Sequence, residues 1–107
     1  MISNGWSVEA DEDRVSVIDP AGELLSVRWS NLGRLVIETN DEGTFTEDVW
    51  WLLLADGDRL ALRFPQSADG ADTVIATLMK LPGFDYESMI TALGSVDQGF
   101  FPVWRRA

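Results

Sequence analysis

The stretch Val49-Trp50-Trp51-Leu52-Leu53-Leu54-Ala55-Asp56-Gly57-Asp58-Arg59-Leu60-Ala61-Leu62-Arg63-Phe64-Pro65 decides the fold class. Its first seven residues put apolar side chains on both strand faces. That is the pattern of a central strand covered on each side, or of one whose second face meets a partner. Asp56-Gly57 is a strong hairpin signal, because glycine takes the positive φ that a tight turn requires. The returning strand, Asp58 to Phe64, sets Leu60, Leu62 and Phe64 against Arg59, Ala61 and Arg63, and Pro65, which has no N–H, stops the ladder.

Working outward, the same alternation predicts strands over Trp6–Ala10, Arg14–Ile18, Glu23–Trp29 and Arg34–Thr39. Asp11-Glu12-Asp13, Asp19-Pro20-Ala21-Gly22 and Ser30-Asn31-Leu32-Gly33 separate them with turn chemistry. Beyond Pro65 the period changes. Ala71, Val74, Ile75, Leu78 and Leu81 fall at helical spacing, with Asp69 as candidate cap, Asp72 at the reach-back position and Pro82-Gly83 as terminator. A second helix is expected from Asp85, with Tyr86, Met89, Ile90 and Leu93 as its buried stripe and Gly94 at its end. The aromatic tail Gly99–Arg106 reads as a final extended segment docked on the sheet.

The expected fold is therefore α+β and a single domain over 1–107. It is an antiparallel six- or seven-stranded bent sheet or partly open barrel, with two C-terminal helices and a terminal extended segment. Val74, Ile75 and Leu78 would plug one end. A flat sheet with both helices on one face is the simpler alternative.

Composition bounds the chemistry. The 107 residues carry 18 acidic and 8 basic side chains, a net charge of −10, with no Cys and no His. Those absences exclude thiol nucleophiles, disulfides, imidazole bases, and the imidazole and thiolate ligands that zinc, haem iron and copper normally take. The expectation is a non-catalytic protein with no cofactor and no metal. A strongly negative field repels phosphate backbones and anionic headgroups, so no nucleic acid and no membrane is expected as partner, whereas a basic protein would be attracted. The N-terminal Met1–Ser7 shows neither the basic nor the apolar region of a signal peptide, which points to a cytoplasmic protein. The longest apolar run, Val49–Ala55, is far below the roughly 20 residues of a membrane-spanning helix.

The run Val27–Thr39, the segment Asp48-Val49-Trp50-Trp51 and Leu81-Pro82-Gly83-Phe84-Asp85 resemble a group of small acidic bacterial proteins of uncharacterised role, whose strands are similar to a pleckstrin-homology-like sheet. The resemblance spans roughly residues 6 to 106 and rests on packing motifs, so it implies a fold more than a function. Such domains end on one long helix, where this chain is expected to have two short ones. Their lipid binding uses basic residues in the first hairpin, where this chain has Asp11-Glu12-Asp13, so phosphoinositide binding is not carried over. In size and charge the chain is also similar to immunity proteins that neutralise a toxin.

The candidate partner-binding residues are Glu38, Asp41, Glu42, Phe45, Glu47, Asp48 and Trp50. Between positions 38 and 48 lie five carboxylates and no Lys or Arg. The segment can present negative charge to a basic partner, with Phe45 as an apolar anchor, or it can be a solvated hairpin loop. Adjacent Trp50 and Trp51 must point to opposite faces, so one belongs to the core and the other packs beneath a helix or anchors an interface. Arg59 and Arg63, four apart on one predicted face, can read an anion or pair with acids such as Glu38 or Glu47. The functional expectation is an acidic binding protein, an immunity-type inhibitor that occludes a basic partner. The alternative is a pleckstrin-homology-like scaffold or self-associating module, a homodimer being possible.

Overall fold

A computed structural model describes residues 5–40, 49–95 and 97–106. The element order is β1 (Ser7–Ala10), β2 (Arg14–Ile18), β3 (Leu24–Arg28), a 3-10 turn (Trp29–Asn31), β4 (Leu32–Thr39), β5 (Val49–Ala55), β6 (Arg59–Pro65), α1 (Ala71–Leu78), α2 (Tyr86–Leu93) and β7 (Gly99–Arg105). The class is α+β, as the periodicities imply. The strands do not form one six- or seven-stranded sheet, however. They make two antiparallel sheets, β1-β2-β3 and β6-β5-β4-β7, and the assembly is not closed. The turn at Trp29–Asn31 separates β3 from β4, and β3 and β6 lie beside each other without a ladder.

The inner faces of both sheets meet in one core. Val15, Val17, Leu35, Ile37, Trp51, Leu53, Leu62, Phe64 and Val103 are almost wholly removed from water. Trp51 stacks on Phe64 with ring centroids 6.5 Å apart, and its indole N–H donates to Gln66 Oε1 at 3.0 Å, so the largest core side chain leaves no buried donor unpaired.

The helices fill the remaining sides. α1 lies against β1, with Val74 and Leu78 buried, and α2 lies against β7 and β4. Asp69 does not cap α1. Its backbone is instead bridged to β1, with Val8 N–H donating to Asp69 O at 2.8 Å and Asp69 N–H to Trp6 O at 3.0 Å. The cap position falls on Gly70 at φ 84°, a conformation that favours glycine. α1 ends at Leu78, one turn short of Leu81.

Asp85 does cap α2, accepting from Ser88 N–H and Oγ–H at 3.0 and 2.9 Å. These bonds, Ser88 N–H foremost, hold its carboxyl below the usual range. The buried face of α2 is only in part the expected one. Met89 lies on it as predicted, together with Ala92, but Tyr86, Ile90 and Leu93 are exposed. The small Ala92 side chain lets the helix seat closely, and the Tyr86 hydroxyl reaches Met79 O at 2.6 Å to tie α2 to the end of α1. The tail segment docks as β7, antiparallel to β4, and Trp104 Nε1–H bonds Pro82 O at 2.8 Å.

Candidate functional site

With Trp51 in the core, the period of two obliges Trp50 to face outward. The outer face of the four-stranded sheet can be built row by row from the registers. Trp50 stands between Pro65 and Glu38, Leu52 between Arg63 and Val36, and Leu54 between Leu60 and Arg34. β7 completes the rows with Phe100 opposite Glu38, Pro102 opposite Val36 and Arg105 opposite Arg34. Leu60 and Phe100 remain 51% and 62% exposed, and Leu52 and Leu54 are half-buried. A largely apolar sheet face thus lies partly open to solvent, with Val36 and Pro65 buried among their neighbours.

Trp50 does not pack beneath a helix. Trp6 meets it edge to face at 5.3 Å, and the Arg63 guanidinium lies 4.4 Å from its ring centroid. These contacts hold the indole upright at one end of the face while leaving it half-exposed. Glu38 is its neighbour on β4, and β4 leaves and β5 enters the sheet at this same end. Of the candidate residues, Glu38 and Trp50 are therefore adjacent, whereas Asp41, Glu42, Phe45, Glu47 and Asp48 lie outside the described residues.

Arg59 and Arg63 do not share a face. A bulge shifts the β5–β6 register between Leu53 and Leu54, so Leu60 pairs with Leu54 and Arg63 with Leu52. One extra residue reverses the parity of the strand. Arg63 goes to Trp50, and Arg59 goes to the gap between β3 and β6. Neither pairs with Glu38, because the ion pair among the described residues is Arg34 with Asp58, at 3.7 Å.

Phe100 and Leu60 went unrecognised in the sequence. The doublet Phe100-Phe101 carried the same parity signal as Trp50-Trp51, since one ring of an adjacent pair on a strand must point outward. The register of Leu60 depends on the bulge.

Among the described residues, two carboxylates have shifted pKa values, Asp11 and Asp85, and both move downward. Asp11 does so chiefly because the Asp13 and Arg14 backbone N–H groups donate to it. That is the direction of a fixed acceptor, opposite to that of a general acid. Among the described residues no cluster of acidic side chains could hold a metal ion, and no helix is long and apolar enough to cross a membrane. An apolar concavity of about 410 Å³ lies among Trp29, Leu32, Leu81, Pro82, Trp104 and Arg106. Both its indole N–H groups bond carbonyls, and the Arg106 guanidinium is held by Leu32 O and Trp29 O at 2.8 and 2.6 Å. Few donors are left there to orient a ligand.

Comparison with protein-family models, curated proteins and solved structures gives no match to this chain.

Proposed function

We propose that this protein is a non-catalytic binding domain whose contact surface is the outer face of the four-stranded sheet, with Trp50 and Phe100 as anchors. The observation that supports this reading is the uncovered apolar face itself, since monomeric domains seldom leave contiguous apolar area in water without a use for it. The partner is a protein that sets apolar side chains on Leu52, Leu54 and Phe100 and basic groups toward Glu38 and the acidic 41–48 connection. A net charge of −10 favours such a partner and opposes self-association. This is also the sense of the likeness to immunity proteins.

One observation favours a second copy instead. The face is polarised along the strands, with Glu38 at one end and Arg34 and Arg105 at the other. Two copies related by a twofold axis across the strands would set the acidic end of each over the basic end of its mate. Sedimentation of the purified protein separates the two readings, a monomer at tens of micromolar supporting the foreign partner and a dimer the second copy. If Leu54→Thr/Phe100→Thr, designed to keep the strands, left the capture of a native partner or the dimer constant unchanged, the sheet face would be excluded as the contact surface.

A further inference from the structure

The gap that keeps the two sheets from closing is lined by cations. Arg14 and Arg28 are directly opposite each other in the β2–β3 ladder, and Arg59 enters from the start of β6. Together with Asn31 and Ser26 they line a cleft of about 340 Å³ between β3 and β6. Three of the eight cationic side chains of a chain with net charge −10 thus converge on one concavity.

Each of the other arginines has an evident use. Arg34 faces Asp58, Arg63 lies over Trp50, Arg106 holds two carbonyls, and Arg105 ends the sheet face. Among the described residues, the guanidinium groups of Arg28 and Arg59 have no carboxylate within ion-pairing distance and no hydrogen-bond acceptor, and Arg14 has only the longer-range attraction of the Asp11 carboxylate. Asp11 and Asp13, in the turn before Arg14, and Asp56 and Asp58, in the turn before Arg59, are the nearest acids in sequence, and none lines the cleft. Like charges placed directly across a ladder are destabilising, so the fold keeps an arrangement that costs it stability. An anion bound between them would turn that repulsion into attraction.

We infer that this cleft is a binding site for a small oxyanion of the phosphate class. Guanidinium groups are planar forks that match phosphate oxygens two at a time and keep their charge at any physiological pH. A single carboxylate has two oxygens and cannot engage three forks, whereas a phosphate or diphosphate group can. The cleft volume exceeds what one monatomic ion needs and falls in the range of small-molecule sites. The site lies between the sheets, on residues other than the anchors of the proposed protein contact, so either assignment can fail alone.

The test is calorimetric titration of the intact protein with inorganic phosphate, pyrophosphate and citrate at constant ionic strength. The expected result is saturable one-to-one binding of pyrophosphate with Kd below about 1 mM, and roughly tenfold weakening in Arg28→Gln and in Arg59→Gln but not in Arg63→Gln. Tighter phosphate than pyrophosphate binding would keep the site and assign it to a single phosphoryl group. Thermal melts provide a second readout. Unliganded Arg28→Gln should melt no lower than wild type, because the opposed charge is gone, and should lose the rise that pyrophosphate gives wild type. No saturable binding by 10 mM phosphate or pyrophosphate, equal affinity in all variants, or preference for citrate would overturn the inference.

Discussion

Replacing Gly70 by alanine separates two costs that are usually confounded. Gly22 and Gly70 have nearly the same positive φ, 85° and 84°. A Cβ at Gly22 would meet nothing within 4 Å, whereas one at Gly70 would overlap the Val8 carbonyl oxygen. Gly22→Ala therefore reports left-handed strain alone, about 1–2 kcal/mol. Gly70→Ala adds a displacement of the 69–70 backbone from β1, which breaks the bonds from Val8 N–H to Asp69 O and from Asp69 N–H to Trp6 O. At about 1 kcal/mol each, these bring the total to roughly 3–4 kcal/mol. For a domain of this size the difference between the variants is about 8 °C in Tm, measurable by thermal denaturation followed by circular dichroism. Equal Tm losses in the two variants would refute the claim that the close approach of α1 to β1 requires a glycine.

The adjacent tryptophans give a second contrast: Trp51→Ala should cost about 3–5 kcal/mol in urea denaturation, and Trp50→Ala, half-exposed, no more than about half of that. Acid should destabilise the fold through Asp11 and Asp85. Their folded-state pKa values lie below the ordinary value, so the stability they contribute is present above pH 4 or so and lost as pH falls through the folded values. A Tm-against-pH series on wild type and Asp85→Asn checks this, the variant showing the shallower fall below about pH 4. The double variant Leu54→Thr/Phe100→Thr should keep its circular dichroism spectrum, because neither side chain belongs to the buried core.

Strand positions were legible where alternation is local. β2 and β5 have the bounds their patterns imply, Asp85 caps α2 as its spacing suggests, and the Trp50-Trp51 doublet forecast one inward and one outward ring. What was hidden depended on contacts far apart in sequence. No local signal distinguishes one bent sheet from two, since the difference is whether β3 and β6 share hydrogen bonds. The bulge opposite Leu53 and Leu54 inverted the parity of Arg59 and Arg63. In α2 the large side chains Tyr86, Met89, Ile90 and Leu93 suggested the buried face, but fit against β7 kept only Met89 of them and added Ala92. The acidic run was visible at once. The apolar face beside Glu38 emerged only when four strands were set in register, because Leu54, Leu60 and Phe100 are distant in the chain.

The most direct test of the sheet face as contact surface is quantitative affinity capture from native lysate, run in parallel with wild type and Leu54→Thr/Phe100→Thr at low and high salt. The account predicts that wild type retains a basic protein that elutes as salt rises, and that the double variant retains little of it. Equal retention of the same protein by both, at every salt concentration, would contradict it.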